Sequence, residues 1–162
     1  MGRALPDTQH AALKQCAPIF IVDDDPDACA ILRLFLTAEG FNVTTAQSVV
    51  AALSCMRDHL PSLIITDYNM PGATGQDLCR DVRSHPRTRA IPIILHTCCD
   101  LSHIDDSLYD QVFEKPTDLN KLSHAIRRLL EITQSATELT NYGAQPQRPT
   151  GTELTRSAPS AL

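Results

Sequence analysis

The sequence predicts an α/β protein built on an open, five-stranded, parallel, doubly wound sheet. Three observations lead there. Strand-like and helix-like segments alternate five times over residues 18–133. The strand-like segments are short continuous apolar runs, as in strands buried on both faces. Polar residues gather just after those runs, at the edge where such a sheet collects its ligands.

The elements follow in order. Residues 1–17 carry no apolar period, with Pro6 and Pro18 as breakers, and read as a flexible leader. "PIFIV" (18–22) is a buried strand ending in Asp23-Asp24-Asp25. Pro26 suits the first turn of a helix and Asp25 its N-cap. Ile31, Leu32, Phe35 and Leu36 form that helix's expected inward face, and Gly40 ends it. "FNVTTA" (41–46) is the second strand. Ser48 caps a helix to about Asp58, with Val49, Ala52, Leu53 and Met56 inward. "SLIITD" (62–67) is the third strand, and Gln76 to Ser84 a helix with Leu78, Cys79 and Val82 on its apolar side.

"IPIILHT" (91–97) is the fourth strand. A short or irregular helix is expected near 102–109, before a fifth strand, "QVFE" (111–114). After Lys115-Pro116 a helix starts near Thr117 or Asp118, with Leu119, Leu122, Ile126 and Leu129 inward. The domain is expected over 18–133. Residues 134–162, rich in Thr, Ser, Pro, Gln and Gly, are expected to be a disordered tail.

Composition narrows the functional classes. A formal net charge of −5 argues against a nucleic-acid surface, and the tail offers only Arg148 and Arg156. No apolar run reaches the roughly 20 residues of a membrane helix. No secretory signal is visible, and Pro6 spoils a myristoylation motif. A cytoplasmic protein is expected. Cys16, Cys29, Cys55, Cys79, Cys98 and Cys99 form no C-x-x-C pair, so they read as reduced thiols. His96 reads as a packed strand histidine, and adjacent Cys98-Cys99 as small residues.

The strand ends carry the chemistry. Strand one delivers Asp23 and Asp24, strand three Asp67, strand four Thr97 and strand five Lys115. Two unit charges about 4 Å apart repel by about 4 kcal/mol at an effective dielectric near 20. Neighbouring carboxylates therefore take up either a proton or a cation. Carboxylate oxygens are hard ligands suited to Mg²⁺, and Lys115 adds a second positive charge. Such a site suits phosphoryl transfer, with a carboxylate as the nucleophile and Thr97 donating to a phosphoryl oxygen.

"IFIVDDDPD", "DYNMPGATG" and "EKP", with Thr97 between the last two, resemble the receiver domain of two-component response regulators. The resemblance implies a flavodoxin-like (βα)5 fold. It implies that Asp67 accepts a phosphoryl group, and that Mg²⁺ is held by Asp23, Asp24, Asp67 and the backbone carbonyl of Asn69. Thr97 matches the switch hydroxyl, Lys115 the lysine, and Pro116 a residue the family usually carries in cis.

Three departures stand out. The stretch from Thr97 to Lys115 is about one helical turn shorter than usual for the family. Val112 stands where receivers often carry Tyr or Phe, with Phe113 on the other face by strand alternation. Cys98 stands where Ala or Gly is usual.

The resemblance therefore leads one to expect a single-domain response regulator. It would take its phosphoryl group from a sensor histidine kinase or histidine phosphotransfer protein and signal by binding a downstream protein effector. No nucleic-acid or membrane partner is expected, and the chain is expected to be a monomer or weak homodimer. It is not expected to be an enzyme beyond Mg²⁺-dependent self-phosphorylation and slow self-dephosphorylation. The competing reading is an atypical receiver that binds proteins without phosphorylation. A haloacid-dehalogenase-like phosphatase is disfavoured, because its D-x-D-x-[TV] signature meets Asp27 at the last position.

Overall fold

The computed structural model describes residues 17–98 and 105–142. In chain order the elements are β1 (Ile19–Val22), α1 (Pro26–Ala38), β2 (Val43–Ala46), α2 (Val49–Asp58) and β3 (Leu63–Thr66). They continue with α3 (Gly75–Ser84), β4 (Ile93–Thr97), β5 (Gln111–Glu114) and α4 (Leu119–Tyr142). The five strands form one parallel sheet in the order β2-β1-β3-β4-β5. This is the doubly wound sheet the sequence predicts.

Side-chain alternation along the central strands builds two cores. Phe20, Val22, Ile64 and Leu95 point to one face, where Ala52 and Met56 of α2 and Leu78 and Val82 of α3 cover them. Ile19, Ile21, Ile65 and Ile94 point to the other, against Leu32 and Leu36 of α1 and Leu122 and Ile126 of α4. Burying each such side chain stabilises the fold by about 1.5–3 kcal/mol. The sheet is therefore a rigid platform for whatever its strand ends carry.

The helix starts are chemically determined. Asp25 caps α1 by accepting from the Asp27 N–H, and Ser48 caps α2 by accepting from the Ala51 N–H. Thr74 and Asp77 form a reciprocal capping box at α3. Asp118 accepts from the Asn120 N–H at 3.0 Å where α4 begins.

Three expectations need correction. Ile31 is 60% exposed, because the stripe of α1 that meets the sheet is Cys29, Leu32 and Leu36, spaced three and four apart. Ile31 lies to one side of that stripe, and Phe35 is half-buried. Residues 105–110 form turns rather than a helix, with the Leu108 N–H bonded to the Asp105 carbonyl; 99–104 lie outside the described residues.

The last helix also runs nine residues past the expected end at 133. No Pro or Gly interrupts residues 134–142, and extending an existing helix is far easier than nucleating one. Thr133 and Ser135 turn their hydroxyls back onto the carbonyls of Leu129 and Glu131. The expected leader, except Ala17, and the rest of the expected tail lie outside the described residues. Among the described residues no helix is long and apolar enough to cross a membrane.

Candidate functional site

The order of the sheet reverses between β1 and β3, the strands whose carboxyl ends carry the acidic residues. The chain winds from β1 outward to β2, then returns to β3 on the opposite side of β1. A crevice opens at such a switch point. The ladder continues past both strands: the Asp23 N–H donates to the Ala46 carbonyl at 3.1 Å, and the Asp67 N–H to the Val22 carbonyl at 2.8 Å. The two aspartates are thus fixed by backbone bonds at neighbouring strand ends.

Asp23, Asp24 and Asp67 each bring a carboxylate oxygen within 4.8 Å of the others. Asp23 is buried, Asp24 exposed, and Asp67 is 9% exposed. Lys115 reaches in from the end of β5. Its Nζ lies 2.7 Å from Asp23 Oδ2 and 3.6 Å from Asp67 Oδ1. The first distance is a charge-assisted hydrogen bond; the second is an ion pair too long to be one. Among the described residues Asp67 Oδ1 is accordingly buried without a hydrogen-bond partner. Burial pulls the Lys115 pKa down, but the hydrogen bond and charge of Asp23, with the charge of Asp67, outweigh it and leave a net rise.

Three carboxylates against one ammonium leave a formal charge of −2 in the pocket. An orphaned buried carboxylate oxygen among hard oxygen donors fits a small divalent cation such as Mg²⁺.

Thr97 is fully buried at the end of β4, and its carbonyl accepts the Lys115 N–H at 3.0 Å. Asn69 stands exposed two residues after Asp67. The Lys115–Pro116 peptide bond is cis. The four charged residues singled out in the sequence therefore converge, with Thr97 and Asn69 on the adjoining strand end and loop. Val112 packs with the α2/α3 core and Phe113 with the α1/α4 core, as strand alternation predicts. Cys98 is exposed beside Thr97. Cys29, Cys55, Cys79 and Cys98 are free thiols, and Cys16 and Cys99 lie outside the described residues.

Sequence reasoning missed three supports of the site. A Cβ at Gly75 would lie 2.0 Å from the Asp67 carbonyl oxygen, so α3 starts directly against the backbone of the acidic loop. The spacing of Gly75 from Asp67 was visible, but not its reason. The Cys29 thiol reaches the Asp23 carbonyl at 3.4 Å, and burial first, then the Asp23 charge, raises its pKa. His96 Nε2 lies 3.0 Å from Thr117 Oγ1, a link with no signal in local sequence.

Fold and site together define a doubly wound α/β protein with an acidic, lysine-bearing pocket at its switch point. The chain belongs to the response regulator receiver domain family, whose profile matches residues 19–127. The phosphate regulon transcriptional regulatory protein PhoB of Rhizobium meliloti is 39% identical over 79 residues, 49% of this chain and 35% of that protein. The response regulator PleD of Caulobacter vibrioides is 39% identical over 84 residues, 52% of this chain and 18% of that protein. The chain thus aligns with about a third or less of the length of these relatives.

Among solved structures, response regulator TrrA of Thermotoga maritima in complex with Mg(2+)-BeF superposes with a TM-score of 0.63 at 27% identity. That match covers 70% of this chain and 98% of that one. A sensor protein from Polaromonas sp. JS666 gives a TM-score of 0.67, also at 27% identity, over 72% of this chain and 98% of that one.

Proposed function

We propose that Asp67 is the phosphoacceptor of a receiver domain in two-component signalling, and that Asp23, Asp24, Asp67 and the Asn69 carbonyl hold Mg²⁺. The observation that carries this reading is the pocket itself. Carboxylates from two separate strand ends meet within 4.8 Å, with Lys115 on the two most buried of them. The Mg(2+)-BeF complex of the Thermotoga relative supports the metal assignment.

In the proposed reaction an Asp67 carboxylate oxygen attacks the phosphorus of a phosphohistidine or an acyl phosphate. A new O–P bond forms. The bond from phosphorus to the donor nitrogen or oxygen breaks, and the donor leaves with the electron pair. When bound, the cation offsets negative charge on the acceptor and on the transferring group. Lys115 holds a fixed ammonium beside Asp67, and the Thr97 hydroxyl donates to the transferred group. Water later attacks the aspartyl-phosphate slowly, releasing inorganic phosphate and restoring the carboxylate. The donor is a sensor histidine kinase or histidine phosphotransfer protein, and output is binding to a protein effector.

The test is mass measurement after incubation with Mg²⁺ and acetyl phosphate. The wild-type chain is expected to gain one phosphoryl group, and Asp67→Asn none. An unchanged wild-type mass would instead favour a phosphorylation-independent binding module.

A further inference from the structure

Lys115 works only if the turn that carries it stays put, and that turn is held by a side-chain link to β4. The Lys115 N–H is bonded to the Thr97 carbonyl. Two residues on, Thr117 Oγ1 donates to the Glu114 carbonyl, closing the turn across Lys115-Pro116. Behind it stands His96 on β4, 7% exposed, with Nε2 at 3.0 Å from the same Thr117 oxygen.

The direction of this bond follows from counting protons. Thr117 has one hydroxyl proton, committed to a carbonyl that can only accept. The ring nitrogen facing Thr117 must therefore be the donor, so His96 is the Nε2–H tautomer. The same conclusion follows from the far side of the ring, where Nδ1 is buried with no partner among the described residues. A bare lone pair there is tolerable, whereas an orphaned buried N–H would cost about 1–3 kcal/mol. Burial first, then the Lys115 charge, pulls the His96 pKa down to about 4, so the ring is neutral near pH 7. A chain of two bonds thus runs from His96 through Thr117 to the Glu114 carbonyl, fastening β4 to both flanks of Lys115.

We propose that His96 and Thr117 are positioning residues that hold Lys115 over Asp23 and Asp67 in the geometry phosphoryl transfer requires. This rests on the phosphoacceptor reading of Asp67. Neither residue touches the reacting atoms; both act through Lys115. Their relay explains why a polar ring is kept at a strand position whose preceding residues, Ile93, Ile94 and Leu95, are all apolar.

The experiment uses the full chain and two readouts. In the first, phosphoryl gain from acetyl phosphate with Mg²⁺ is timed. His96→Leu and Thr117→Val are expected to slow it by about 10- to 100-fold, the scale of a misplaced catalytic group. His96→Gln, which keeps an N–H at the reach of Nε2, and Thr117→Ser, which keeps the hydroxyl, should restore it. In a Lys115→Ala background, His96→Leu should cost nothing further. A wild-type rate in His96→Leu, or losses that multiply with Lys115→Ala, would overturn the proposal.

The second readout is amide hydrogen exchange at Lys115. It should quicken in His96→Leu and Thr117→Val and return in the two conservative variants, with thermal melts confirming that each chain is folded. If the wild-type chain takes no phosphoryl group, the acceptor reading fails, and the exchange arm alone judges the link: unchanged Lys115 protection in both apolar variants overturns it.

Discussion

His96 shows how one side chain can read as ordinary in sequence and be decisive in place. As a packed strand histidine it was correctly anticipated; its hydrogen bond to Thr117, 21 residues away, was not, because nothing local announces it. The cost of burying a titratable ring gives a pH-dependent prediction. The folded pKa is about 4, against 6.5 for an unperturbed imidazole. Between those values the unfolded chain binds a proton that the folded chain refuses, so stability rises with pH across the window. It is fully present above about 6.5 and lost as pH falls toward 4. Over that interval the wild type should lose about 3 kcal/mol more than His96→Gln, which cannot titrate. Urea unfolding of both chains at pH 7 and pH 4 measures this. Parallel losses would mean that the ring is protonated without penalty.

At the scale of elements, α3 and the loop before it act as one piece. Gly75 opens the helix, its N–H donates to the Tyr68 carbonyl at 2.7 Å, and the capping box of Thr74 and Asp77 closes the first turn. Asp67 is thereby braced from behind by a helix start. Gly75→Ala forces a Cβ against the Asp67 carbonyl oxygen at 2.0 Å. Backbone must shift, and overpacking of this kind costs about 1–3 kcal/mol. A lower urea midpoint with an unchanged slope, together with slower phosphoryl gain, is expected. A variant as stable as wild type would show that the loop is free to move away. The elements that sequence reading placed well are those with chemical ends, such as Asp25, Ser48 and Gly40. It erred where faces are ambiguous, as with Ile31 and Leu32 side by side on α1. It also stopped α4 early, because polar composition was taken for disorder where no breaker stood.

For the molecule as a whole, the sheet's topology was legible because each buried strand is a short apolar run with a polar stop. The site followed from it, since parallel strands must present those stops at one edge. What sequence could not supply was the separation of the side chains, and that separation makes stability and metal binding one problem. Asp23 and Asp67 are 44 residues apart in the chain but share a pocket when folded. Folding therefore brings like charges together, with Lys115 compensating only in part. A divalent cation that needs the assembled pocket binds the folded chain alone, and so shifts the folding equilibrium. At a hundred times its dissociation constant, Mg²⁺ should add about 2.7 kcal/mol to the unfolding free energy. Sodium chloride at matched ionic strength should not, because screening weakens the repulsion without ligating the orphaned oxygen of Asp67. Asp24→Asn, which removes the most exposed of the three charges and leaves the Lys115 pairs intact, should raise the urea midpoint without Mg²⁺ and shrink the Mg²⁺ increment. Equal shifts from magnesium and sodium salts in the wild type would show that the pocket is merely a cluster of screened charges.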